Sequence, residues 1–410
     1  MSRSPSRSRR VPLRGRLRWS LAAVTGVAAL TALPALAPAA TANEASPTVL
    51  AWGAGRTGQL GNGTLNDSLS PASVTSLFRG DVDQMSAGGT SSTDGFVLAR
   101  TDKTVKAWGH NSSGQLGNGG NDNQTVPVTV PRLNNIKDIA AGGKHALALD
   151  TSGQVYSWGD NSYGQLGNNR TGDSRVYPDR VQGMPKVKQI SAGCDFSLAL
   201  LENGKVYAWG RGIYGQLGTG NRATSSVPRL VQGLENIVSI DAGCYHALAL
   251  TSDDTVKSWG YNLYGQLGNS STQSSTVPVD VDWLEGVARI EAGAFHNYAI
   301  MSDSHVWGWG NNQYGQLLES DEATDSDISL TNRTAPVEIP RLEGVQHLAA
   351  GARHGVAIIG AAVDTWGNNS EGQLGNGTTV SRFSPVQVLD EGSKIKDVVA
   401  SLGGNTTYAY

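Results

Sequence analysis

The chain has 410 residues, of which 52 are glycine and only 16% carry charge. That composition suits many tight turns between short strands and excludes a predominantly helical protein. The formal net charge is −3, with no basic excess of the kind that marks a nucleic-acid-binding surface.

In chain order, the N-terminus comes first and is unlike the rest. Seven arginines lie within the first 18 residues (Arg3, Arg7, Arg9, Arg10, Arg14, Arg16 and Arg18), and no acid precedes Glu44. An uncharged run rich in Ala and Leu follows over residues 19–43 and reaches Ala40-Thr-Ala42. A basic start, an apolar stretch and a small-x-small site read as an export signal over residues 1–42, followed by a short linker over 43–47. An uncleaved membrane anchor is the alternative; Pro34, Pro38 and the small residues near the end of the run argue against it. Ser8-Arg-Arg-Val-Pro-Leu13 resembles a twin-arginine signal, so either the general secretory or the twin-arginine route is open. Cleavage leaves 25 basic against 35 acidic residues, a net of about −10. The expected product is a secreted, extracellular chain with no nucleic-acid partner and no membrane attachment.

From Trp52 onward the chain is periodic. Trp-Gly pairs start at Trp52, Trp108, Trp158, Trp209, Trp259, Trp309 and Trp366, in steps of 56, 50, 51, 50, 50 and 57 residues. Each is followed by Gly-Gln-Leu, starting at Gly58, Gly114, Gly164, Gly215, Gly265, Gly315 and Gly372. A fixed period near 50 marks a repeat architecture, in which one unit buries its apolar face only against its neighbours.

Residues 237–283 show what one unit is. Residues 237–242 are β-rich and end at Gly243. His246-Ala-Leu-Ala-Leu250 alternates with period two. Asp253-Asp254 stands where the preceding repeat has Asn203-Gly204, a hairpin signal. Val256-Lys-Ser-Trp259 is a third run and Val277-Pro-Val-Asp-Val281 a fourth, with Pro278 acceptable only on an edge. Strands A, B, C and D thus form a four-stranded antiparallel sheet with D outermost. Leu248 and Leu250 share one face of strand B and Ala247 and Ala249 the other, a bulky side and a slim side for successive sheets to interlock.

The fold class predicted is all-β, a seven-bladed β-propeller. Thr48-Val-Leu-Ala-Trp-Gly53 reads as a strand C and Thr406-Thr-Tyr-Ala-Tyr410 as a strand B. Both ends of the 48–410 domain therefore contribute to one blade, which closes the ring.

Several local features carry chemistry only on paper. Cys194 and Cys244 lie one repeat apart; a disulfide is conceivable in an exported protein, and two buried thiols are the expectation, since other repeats place only small residues there. His145, His246, His296 and His354 share one position on strand B, and a structural histidine hydrogen-bonded between blades is expected over a metal ring. Gly53-Ala-Gly-Arg-Thr-Gly58 and Gly210-Arg-Gly-Ile-Tyr-Gly215 match a dinucleotide fingerprint but open no helix. Residues 319–327 form an acidic insertion whose spacing is not that of a calcium-binding EF-hand loop. No nucleophile–base constellation and no zinc spacing is present, so no catalytic residue, metal or cofactor is assigned.

Trp-Gly-x-Asn-x-Tyr-Gly-Gln-Leu-Gly, then Val-Pro, then Ile-x-Ala-Gly-x-x-His-x-Leu-Ala-Leu resembles the regulator of chromosome condensation repeat. The resemblance covers residues 48–410, and Gly-Gln-Leu is intact in all seven units. It implies a seven-bladed propeller. The founding member is a nuclear exchange factor for a small GTPase and binds nucleosomes; an exported acidic chain should meet neither, so guanine nucleotide exchange is an alternative by family analogy alone. A plant ultraviolet-B photoreceptor shares the repeat and clusters tryptophans on one face, but the matching turns here carry Cys244-Tyr-His, Ala294-Phe-His and Ala352-Arg-His. Secreted propeller inhibitors of β-lactamases resemble the chain in export and blade number, although their repeats are shorter and lack Gly-Gln-Leu-Gly.

The A–B and C–D turns emerge on one face of such a ring. That face collects Tyr163, Tyr214, Tyr264 and Tyr314 from four consecutive C–D loops, and Tyr245, Phe295 and Arg353 from A–B turns. It also carries the insertion with Asp321 and Glu322. Aromatic loop residues are binding anchors, although a Tyr before Gly-Gln-Leu also has a packing role to weigh against that one. The expected function is non-catalytic binding of a protein partner through this face. Inhibition of a secreted enzyme such as a β-lactamase, and an extracellular enzyme with a loop-assembled site, are the alternatives.

Overall fold

The structure is a computed structural model, and it describes residues 48–318 and 330–410. Among these, the strands form seven four-stranded antiparallel sheets. In the blade of Trp259, strands A to D are Ile237–Ala242, His246–Thr251, Val256–Gly260 and Ser275–Asp280, hydrogen-bonded in that order. Strands A line the central channel. Pro278 sits in strand D, which has no partner on its outer side, so its missing N–H breaks no ladder.

The ring closes as the two ends predict. Thr48–Gly53 is strand C and Ser68–Phe78 strand D of a blade whose strands A and B are Val398–Ala400 and Thr406–Ala409. Leu50 pairs with Ala409 and Trp52 with Thr407. Blades are numbered here by their tryptophans, from blade 1 (Trp52) to blade 7 (Trp366).

The core lies between blades. Leu198 and Leu200 of blade 4 pack against Ile240, Ala247 and Ala249 of blade 5, all buried, so the bulky face meets the slim one. Each leucine removed from water in this way contributes roughly 1.5–3 kcal/mol.

A polar latch runs beside that core and explains why Trp and Gly-Gln-Leu recur together. The indole Nε1 of every repeat tryptophan donates to the backbone carbonyl of the Gln in the preceding blade. Trp108 reaches Gln59, Trp158 Gln115, Trp209 Gln165, Trp259 Gln216, Trp309 Gln266 and Trp366 Gln316, at 2.8–3.0 Å. Trp52 reaches Gln373 at 3.0 Å and completes the circuit across the closing seam. The glycine after each tryptophan is required by the same packing. Gly260 has φ +100 or so, and a Cβ on it would sit 2.5 Å from the Tyr245 carbonyl oxygen.

Three of the four strand-B histidines bridge blades as expected. His145 Nε2 is 2.9 Å from Ser197 Oγ, His246 Nε2 2.6 Å from Asn297 Oδ1, and His354 Nε2 3.0 Å from Thr407 Oγ1. Ser197, Asn297 and Thr407 in turn donate to the Gln165, Gln266 and Gln373 carbonyls that hold the latch. Each of these histidines is therefore the donor through Nε2. His296 departs from the pattern, because the next blade offers Gly355 at the partner position; neither of its ring nitrogens has a partner. Burial pushes the first three rings down to about 4 and His296 to about 3.

The cysteines correct one expectation. Cys194 and Cys244 are both buried, as expected, but they form a disulfide, with Cα atoms 4.5 Å apart. They occupy adjacent A–B turns where the ring is narrow, and there neighbouring blades come within bridging distance. The acidic insertion, with Asp321 and Glu322, lies outside the described residues.

Candidate partner-binding face

The A–B turns and C–D loops do emerge together, and neighbouring blades interleave there. At three seams, the residue before Gly-Gln-Leu in one blade lies beside the A–B residue of the next. Tyr214 and Tyr245 meet with ring centroids 5.3 Å apart, and Tyr264 and Phe295 at 5.5 Å. The Arg353 guanidinium lies 4.8 Å above the Tyr314 ring. Tyr245 and Phe295, at 6.2 Å, connect two of the seams.

Two further residues complete the arc, and neither was among the expected site residues. Arg211 lies 4.7 Å from the Tyr163 ring and 5.7 Å from those of Tyr214 and Tyr245. Its Nη1 donates to Asp195 at 2.9 Å. Tyr261 packs on Tyr214 at 5.0 Å and on Phe295 at 6.3 Å. Both occupy the position after Trp-Gly, where the other blades carry Ala54, His110, Asp160, Asn311 and Asn368. Variation at one place in an otherwise strict repeat was the available signal.

The electrostatics follow from partial burial. Burial works against the Arg211 charge, but the Asp195 carboxylate beside it holds its pKa above the ordinary value. Burial raises the Asp195 carboxyl by more than Arg211 lowers it. The phenols of Tyr245 and Tyr261 are raised, chiefly by burial.

The loops do not need these rings. The backbone N–H of Tyr163, Tyr214, Tyr264 and Tyr314 donates to the Oε1 of the Gln two residues on, at 2.8–2.9 Å. Thr57, Ser113 and Glu371 make the same bond in the other three blades. A threonine, a serine or a glutamate therefore makes the same backbone bond, and the rings add contact across the seams and, for Tyr264 on Tyr261 and Tyr214 under Arg211, within their own loops. The arc is confined to blades 3 to 7, with Tyr163 and Arg353 exposed and the remaining members half-buried. Among the described residues, no His/Cys/Asp/Glu cluster has a metal-holding geometry.

A family model described as the RCC1-like domain matches residues 41–409. The chain belongs to the RCC1-like domain family. Solved structures of the same shape include yeast RCC1 (Prp20) bound to Kap60, with TM-score 0.77 and 23% identity over 88% of each chain. Human WBSCR16 follows with TM-score 0.73 and 24% identity over 89% of this chain and 98% of that one. At these identities the likeness is one of fold. Among curated proteins, the ultraviolet-B receptor UVR8 of Arabidopsis thaliana is 31% identical over 184 residues, 44% of this chain and 41% of the receptor. The human E3 ubiquitin-protein ligase HERC2 is 34% identical over 184 residues, 44% of this chain and 4% of the ligase. The matched segment thus spans less than half of either relative. The RCC1-like propeller described here is related to regulatory and partner-binding proteins.

Proposed function

We propose that this RCC1-like propeller is a secreted, non-catalytic binding protein that engages a protein partner through the arc on blades 3 to 7. The observation that carries the reading is the set of rings at Tyr163, Tyr214, Tyr264 and Tyr314, which the loops do not require and three other blades lack. Tyrosine and arginine are enriched among the residues that dominate interface energies. The rings and Arg211 are already ordered by one another, so little side-chain entropy is left to lose on binding. Export is supported by the basic and then apolar N-terminus and by a disulfide, which persists in oxidising compartments.

The test is a comparative capture from culture medium. Wild-type protein and a Tyr264→Ser/Arg353→Ser variant are immobilised at equal amounts. A protein retained by the first and lost from the second supports the reading. Identical retention by both places the interaction elsewhere.

A further inference from the structure

The opposite face, formed by B–C and D–A turns, carries a feature that the arc does not explain. Trp283 is 73% exposed, the most exposed of the large hydrophobic residues on the described surface. It sits in the D–A connection between blades 5 and 6, with φ +58. The equivalent positions in three earlier connections are Arg132, Gly183 and Gly233, with φ +65, +75 and +70. A side chain added to either glycine would meet nothing within 4 Å. The position keeps a left-handed backbone in four successive connections whatever residue occupies it, and Arg132 uses it to lay its guanidinium 3.9 Å from the Tyr177 ring. Trp283 accepts a backbone conformation that bulky residues avoid, and leaves most of its side chain in water. The loop itself is anchored by Val281 and Leu284, both buried.

The surroundings are acidic. Val287 N–H donates to the Asp254 carbonyl and Ser302 N–H to the Gly286 carbonyl, so the connection is tied to the B–C turns of both blades. Those turns bring Asp253, Asp254 and Asp303 to either side, and the connection adds Asp282 and Glu285. None of these five carboxylates has an ion-pair partner among the described residues; the nearby Lys257 is engaged by Asp280 and His305 by Glu338.

We propose that Trp283 and these carboxylates form a second docking surface, for a basic peptide segment of a partner protein. A lysine or arginine side chain stacks its cation on the exposed indole, the strongest aromatic acceptor for such a contact. The flanking carboxylates steer and hold the neighbouring basic residues. The same charge excludes nucleic acid and anionic lipid as occupants.

The experiment uses the full chain and a short labelled peptide of alternating lysine and serine, with a glutamate–serine peptide as control, read by fluorescence anisotropy. Wild type should bind the basic peptide saturably, more weakly as salt rises, and leave the acidic one free. Trp283→Gly should weaken binding about tenfold without lowering the melting temperature. Asp282→Asn/Glu285→Gln should weaken it and flatten its salt dependence. Equal affinity for Trp283→Gly, or no saturable binding at low salt, overturns the proposal. So does an equal loss with Tyr264→Ser/Arg353→Ser, which would put the peptide on the other face.

Discussion

Cys194 and Cys244, one repeat apart, are bonded to each other beneath the partner-binding arc, across the seam between blades 4 and 5. They cluster with Ala294 and Leu402, and Tyr245 and Phe295 pack over them. The bond therefore pins the two turns that present Asp195 and Tyr245.

Cys194→Ser/Cys244→Ser should lower unfolding stability by about 2–4 kcal/mol, as expected for closing a loop of this length. A shift in the denaturant midpoint at unchanged slope measures it. Thiol titration of the unreduced, unfolded protein should find no free thiol; two reactive thiols would sink the assignment.

The seam between blades 7 and 1 carries the last of the seven tryptophan latches. Trp52 Nε1 donates to Gln373 O, and Thr407 Oγ1 donates to the same carbonyl at 2.8 Å. Trp52→Phe keeps most of the packing and removes one donor while the carbonyl stays satisfied, so the loss should be about 1 kcal/mol. Deleting residues 48–53 removes strand C of that blade and leaves the edge of Thr406–Ala409 unpaired, and it should destabilise the whole ring. Thermal melts separate the two; an unchanged midpoint for the deletion contradicts closure by both termini.

Glu291 lines the central channel beside Asp241. Burial, and then the Asp241 charge, hold its carboxyl well above the ordinary range. A raised carboxyl pKa means the folded state resists ionisation. Its stability deficit is absent below the unfolded value and grows as pH rises through the folded one. Glu291→Gln should therefore be more stable than wild type at pH 8, the gap closing towards pH 4.5. The buried histidines act in the other sense. Their depressed pKa values cost stability as pH falls from about 6.5 to about 4, in both proteins alike, so the difference between the two curves reports the Glu291–Asp241 pair. Parallel curves would show that the carboxyl titrates normally.

Most of this architecture was legible because repeats print the same physics seven times. Leu248 against Ala247, Pro278 on an edge and Thr48–Gly53 as an orphan strand C each follow from local pattern, and together they dictate a closed ring. The disulfide was not legible: residue spacing gives the relative blade but not the distance between two turns near the axis. His296 departs because the residue at its partner position in the next blade is Gly355, which has no side chain to accept its proton. Tyr261 and Arg211 escaped because the repeat motif was read for what recurs, and they stand where it varies.

The arc allows a decision between scaffold and anchor. Tyr264 touches Tyr261 at 6.2 Å and Phe295 at 5.5 Å, and Tyr245 touches Tyr214 and Phe295. Ring pairs of this kind contribute about 0.5–1.5 kcal/mol beyond the area they bury. Tyr245→Ala with Tyr264→Ala should therefore lower stability measurably, because both rings are half-buried and linked. The backbone bond from Tyr264 N–H to Gln266 Oε1 survives the change, so the loop keeps its shape. Binding to the captured partner should fall further, by about 2 kcal/mol or more for each ring that anchors it. A melt and a binding titration on the same variant compare the two losses. If stability drops and affinity does not, the rings serve only to bind blade to blade, and the partner surface lies elsewhere on the ring.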